Sequence, residues 1–298
     1  MEYTKQAMPL VQQIQTLKQR GLVFNDEAEA ERLLGLIGYF RLAEYWRVME
    51  ADKERHIFKP NSLFENVILL YKFDGELKMM VFSAIQKLEI AMRAKVIYHF
   101  SMKYGPFWFL DKTLADKPLL FEENLARLKA EVGRSYEGFI KQHFDKYDVP
   151  NMPPAWKTLE VASFGVLSKL YQNTCDPEVK KRVSDDFQIP AYKFLRSWMK
   201  CLTVVRNNCA HHARLWNQRF PFAPMLPKKS MPLPWINNLP INNKSLYSHL
   251  CCIAYWLNAI DPQNTFASDF KALLAKYPTV NPAAMGCPER WNQEPLWM

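Results

Sequence analysis

Asp74–Phe100 reads DGELKMMVFSAIQKLEIAMRAKVIYHF, and its periodicity decides the fold class. Leu77, Val81, Ala84, Leu88 and Met92 recur at spacings of three and four. That rhythm lines one stripe of an α-helix, whereas a strand would alternate every second residue. Glu89 and Arg93 stand four apart on the flank of the stripe, the spacing of an intrahelical ion pair or of a pair with a functional role.

Outward from this helix the same period recurs. Pro9–Arg20 is expected to be helical, with Val11, Ile14 and Leu17 on one face and Gly21 as its stop. Asn25 or Asp26 can cap a second helix whose acidic first turns, Glu27, Glu29 and Glu31, suit the helix dipole. Its later part, LIGYFRLAEYW, reads as mostly core, and a loop follows around Lys59-Pro60-Asn61. Phe107–Tyr147 reads as two surface-rich helices. AWKTLEVASFGVLSKLY is helical after a break at Pro150, Pro153 and Pro154, and Pro177–Pro190 reads as a connector. From Ala191 a helix carries Leu195, Trp198, Met199, Leu202, Val205 and Cys209 as its apolar stripe. Six prolines between Pro221 and Pro240 then forbid a helix. A final pair, Lys244–Ala259 and Thr265–Lys276, closes the chain.

Nine glycines in 298 residues and few Val/Ile/Thr runs agree with an all-α protein. The expected organisation is a single all-helical domain over 1–298. Its core spans about 60–220, with a proline-rich segment at 220–240 and C-terminal helices at 243–277. The N-terminus lacks the pattern of a signal peptide, and Leu246–Ile260 is interrupted by Ser248, His249 and Asn258, as a buried helix would be. A cytoplasmic location without membrane attachment is therefore expected. The six cysteines form no CxxC pair and no zinc-ligand spacing, which suits reduced thiols. GxG, GxSxG and HExxH patterns are absent, so nucleotide cradles, serine-hydrolase elbows and zincin sites are excluded. Neither a cofactor nor a metal is expected.

Charge is the first functional signal. Phe187–Ile260 contains no Asp or Glu but nine bases: Lys193, Arg196, Lys200, Arg206, Arg214, Arg219, Lys228, Lys229 and Lys244. The rest of the chain balances, 30 bases against 30 acids, so the whole net charge of +9 belongs to this segment. Such a field favours phosphate-rich partners, although a solvated basic face would show the same composition.

Within it lies RNNCAHH, Arg206–His212. At about 100° per residue from Leu195, Arg206 falls at about 20°, in the middle of the apolar stripe. A guanidinium cannot be neutralised there, so it needs a carboxylate such as Glu89, or a phosphate. His211 lies about 140° further round. A helix distortion near Cys209, or a second chain, could unite the two, and Asn207 shares the face of His211 and can orient it. An imidazole that titrates near neutrality and a bidentate phosphate-binding guanidinium are the minimum set for metal-free RNA cleavage. DNA, without a 2′-OH, is immune to that chemistry. A carboxylate-paired Arg206 with His211 capping the helix is the alternative on the residues alone.

RNNCAHHARLWNQRF resembles the signature of the HEPN superfamily, in particular the Abi-like family of bacterial abortive-infection proteins. Four further blocks resemble that family in the same order: IGYFRLAEYW at 37–46, LYKFDGELK at 70–78, KLEIAMRAK at 87–95 and PPAWKTLEVASFG at 153–165. The resemblance implies a HEPN-type helical bundle with additional N-terminal and C-terminal helices, and homodimerisation that joins two RxxxxH motifs. It also implies metal-independent endoribonuclease activity leaving 2′,3′-cyclic phosphates, in phage defence or as a toxin with an antitoxin partner. Arg206, Asn207 and His211 take the catalytic positions. His212, Arg214, Asn217, Lys200, Arg219, Glu89 and Arg93 are the RNA-binding or supporting candidates. Some HEPN proteins only bind, so a non-catalytic RNA-binding protein, regulated by a structured RNA or a protein partner, is the competing expectation.

Overall fold

The computed structural model describes residues 2, 6–228, 231–238 and 241–298. Lys229 and Pro240 lie outside the described residues. The chain forms two compact units, Met1–Leu77 with Leu273–Val280, and Lys78–Ala272 with Asn281–Met298.

In the first unit, helix α1 (Leu10–Gln19) buries Ile14 and Leu17. Val11, expected on the same face, is 53% exposed, because it lies about 90° from the midpoint of the other two. Helix α2 (Glu27–Ile37) is capped by Asp26, whose carboxylate accepts the Glu29 N–H at 3.0 Å. LIGYFRLAEYW is not one helix. Gly38, at φ 92°, ends α2 and starts α3 (Tyr39–Trp46), a left-handed backbone that glycine adopts without a Cβ penalty. Leu42, Tyr45 and Trp46 are core while Phe40 is exposed, and the buried Tyr45 hydroxyl donates to Asp74 at 2.7 Å. A small hairpin missed from sequence, β1 (Glu50–Asp52) with β2 (Ile57–Phe58), precedes the Lys59–Asn61 loop.

Helix α4 (Phe64–Tyr104) runs for 41 residues, longer at both ends than its amphipathic stripe indicated. Leu77, Val81, Ala84, Leu88 and Met92 are all buried, as the spacing required.

The second unit contains α5 (Pro118–Gly133), α6 (Gly138–Lys146), α7 (Ala155–Thr158), α8 (Phe164–Asn173), α9 (Pro177–Asp186), α10 (Tyr192–Ala210) and α11 (Leu246–Ile260). Helix α12 (Phe266–Lys276) begins in this unit and ends in the first. The stretch read as one helix from Ala155 is two, because Ser163 starts α8 afresh and its Oγ accepts the Val166 N–H. The expected connector at 177–190 is largely helical. Asp176 caps α9 by accepting the Glu178 and Val179 N–H groups, Pro177 opens it, and Val179 and Val183 are buried four apart. Helix α10 packs on α8, α9 and α11. Helix α11 is buried along Leu246–Leu257. The described part of the proline-rich stretch is irregular but well anchored, with Trp235 stacked on Trp198 at 5.8 Å and the Met225 carbonyl accepting the Trp198 indole N–H at 2.8 Å. Five cysteines are buried, Cys175 is exposed, and all six are free thiols.

Candidate active site

The apolar face of α10 is as the period dictates: Leu195, Trp198, Met199, Leu202, Val205 and Cys209 are buried. Arg206 does not sit at the centre of that stripe. Its long side chain carries the guanidinium to the margin, leaving the side chain 34% exposed. The guanidinium carbon lies 5.7 Å from the centre of the Phe82 ring. Its Nε is buried without a hydrogen-bond partner, 3.9 Å from Glu89 Oε2. At that distance the contact is ionic and not a hydrogen bond.

Glu89 is committed elsewhere. Its Oε1 accepts from Arg93 Nη2 at 3.0 Å, the i,i+4 pair that the spacing predicted. Arg93 is 7% exposed, and its Nη1 also donates to the carbonyls of Leu159 and Ala162. It therefore ties α4 to the turn between α7 and α8. One carboxylate, held mainly by Arg93, faces two guanidinium groups.

Helix α10 remains α-helical through Ala210, so no distortion at Cys209 brings Arg206 and His211 onto one face. His211 is the C-terminal cap, solvent-exposed, and its N–H bonds the Asn207 carbonyl at 2.9 Å. Asn207 is exposed on the same side. His212 closes the helix. At φ 58° its N–H bonds Cys209 O at 3.2 Å, and the Ala213 N–H bonds Asn208 O at 2.9 Å. This is a Schellman-type ending with histidine where glycine is usual. The next turns are pinned by buried Leu215, Trp216 and Phe220, the Phe220 N–H bonding Lys244 O at 2.8 Å. Around them, Arg214 is half-buried, Asn217 takes φ 50°, and Arg219 is exposed.

Lys200 lies earlier on α10, with its Nζ 3.6 Å from the Phe222 ring centre. It lines a cavity of about 620 Å³ together with bases that sequence reading passed over, Lys117 and Arg127 at or on α5 and Lys169 on α8. These lie some 30 to 80 residues from Lys200 in the chain, and each looks like an ordinary surface residue of its own helix. Beside that cavity, Lys180 is 4% exposed. Its ammonium is lowered to about 8, first by burial and then by the charge of Arg196. Among the described residues there is no group of three His, Cys, Asp or Glu side chains that could hold a metal.

Helical packing with, among the described residues, only a two-stranded hairpin makes this an all-α protein, and no described helix is long and apolar enough to cross a membrane. The family model described as Abi-like protein matches residues 32–217, more than half of the chain, and spans α4, α10 and the Arg206–His211 segment. The chain belongs to the Abi-like family, and membership points to abortive infection or phage defence. No curated protein and no solved structure matches it.

Proposed function

We propose that the chain is a HEPN-superfamily endoribonuclease of abortive infection that cuts RNA without a metal, with Arg206, Asn207 and His211 in the site. The observation that carries this reading is the straight end of α10. It leaves an exposed imidazole and a partly exposed guanidinium at different angles of one helix. One chain then holds half of a site twice over, and two copies packed end against end complete it. His211 takes the proton of a ribose 2′-OH as that oxygen attacks the adjacent phosphorus. Arg206 neutralises the pentavalent phosphate. His211 of the partner subunit gives its proton to the departing 5′-oxygen, leaving a 2′,3′-cyclic phosphate and a 5′-hydroxyl. Asn207 orients the imidazole.

The nearness of Glu89 to Arg206 favours a second reading, in which Arg206 is an internal anchor and the protein binds RNA, or a regulatory partner such as an antitoxin, without cutting. A mixed RNA pool incubated in chelator, with product ends mapped, separates them. Cyclic-phosphate ends from the wild type are expected, reduced about 10²-fold or more in His211→Ala and in Arg206→Ala with binding retained. Intact RNA under all conditions, with RNA still bound, would overturn the nuclease in favour of the binder.

A further inference from the structure

A groove bounded by α5, α8 and α10 is lined by six cationic side chains, Lys117, Arg127, Lys169, Lys193, Arg196 and Lys200, against two carboxylates, Asp116 and Glu123. All six are exposed. Among the described residues none of the six makes an ion pair, although other surface bases such as Lys103, Lys181 and Arg182 are paired with carboxylates. Six unpaired cations crowded around about 620 Å³ repel one another, and a polyanion relieves that repulsion while releasing its own counterions.

One detail narrows the class of anion. Phe222 is 40% exposed at the groove edge, with Lys200 lying over its ring. An aromatic face beside phosphate-binding cations suits an unpaired base and its backbone.

The groove is also in line with the candidate site. Lys193 and His211 are separated by 18 positions, about five full helical turns, so they lie on one side of α10. Lys193, Arg196, Lys200, Asn207 and His211 are all exposed along that line. The rise from Lys200 to His211 is about 16 Å, a short stretch of single strand.

We propose that this groove binds single-stranded RNA and holds the part of the strand that leads along α10 to His211. The proposal rests on the nuclease reading for the direction of the strand, and on the groove itself for binding. The test is fluorescence anisotropy of a labelled unstructured 12-nucleotide RNA with the full chain, titrated over a range of salt concentrations. Lys193→Gln/Arg196→Gln/Lys200→Gln is expected to weaken binding at least about tenfold and to lower the salt slope by about 2, at roughly 0.7 per lost phosphate contact. Phe222→Ala keeps every charge and is expected to lose affinity about fivefold or more with the slope unchanged, which covers the case of a triple variant that does not fold. Lys141→Gln/Lys146→Gln on α6, outside the groove, is expected to bind as the wild type does. Loss of binding in the groove variants of a protein that never cleaves supports the groove and removes the nuclease. Groove variants that fold and bind with wild-type affinity and slope overturn the groove, even where the wild type cleaves. Equal competition by polyglutamate, or by AMP at equal charge, also overturns it, since the site would then take any anion.

Discussion

Replacing Glu89 by Gln removes a negative charge that both Arg93 and Arg206 face, without changing the size of the side chain. At an effective dielectric near 20, the attraction is roughly 5–6 kcal/mol for the 3.0 Å contact to Arg93 and roughly 4 kcal/mol for the 3.9 Å contact to Arg206, before desolvation offsets much of each. Removing one member of a buried pair costs about 3–5 kcal/mol, because the other charge stays uncompensated. Arg93 keeps two carbonyl acceptors and Glu89 is 15% exposed, which places the expected loss near the lower end, at about 3 kcal/mol. Urea unfolding followed by far-ultraviolet circular dichroism reads that loss, and thermal melting of the 298-residue chain should fall by roughly 5 °C. Double-mutant cycles with Arg93→Met and Arg206→Met apportion it, with the larger coupling expected for Arg93, which is hydrogen-bonded. A loss below about 0.5 kcal/mol, or a coupling to Arg206 at least as large as that to Arg93, would refute the view that Glu89 serves Arg93 first and leaves Arg206 for a phosphate.

Two further outcomes follow from the local structure. Gln188→Gly relieves the left-handed backbone (φ 53°) just after α9 at an exposed position and should stabilise the protein by about 1 kcal/mol in urea unfolding, with RNA cleavage retained; a destabilised variant would show that the glutamine side chain outweighs the backbone term. Lys180→Met should stabilise the fold at pH 7 by up to about 3 kcal/mol, since burial first and Arg196 second lower the ammonium from 10.5 to about 8. Between those two values the unfolded chain binds a proton that the folded chain does not, so wild-type stability should rise with pH across that window and level off above it. The variant should lack that rise; an identical pH profile would show that Lys180 is solvated.

The amino-acid order by itself determined several features that one helix settles alone. The stripe of α4, the stripe of α10 and a cap at Asn25 or Asp26 all depend on spacing and local hydrogen bonding, and spacing is written in the chain; the structure chose Asp26. So is the acid-free segment, because charge needs no coordinates. The Asp176–Pro177 start of α9 was also legible, as a capping residue before proline, but nearby Pro190 made the stretch look like a connector. Gly38 was ambiguous for a related reason: a glycine inside an apolar run fits either a tolerated helical residue or a left-handed break, and the packing of Tyr45 and Trp46 chose the break.

Tertiary structure decided the rest. An angle on a helical wheel puts Arg206 among leucines, yet a four-bond side chain carries its charge out to the edge, past Phe82. The choice of Arg93 over Arg206 as the closer partner of Glu89 depends on where the turn between α7 and α8 offers its carbonyls. The cationic groove depends on α5, α8 and α10 meeting, and periodicity shows that a face is buried without naming what buries it. That information lies in the fit of side chains between distant segments, which only the folded chain brings together.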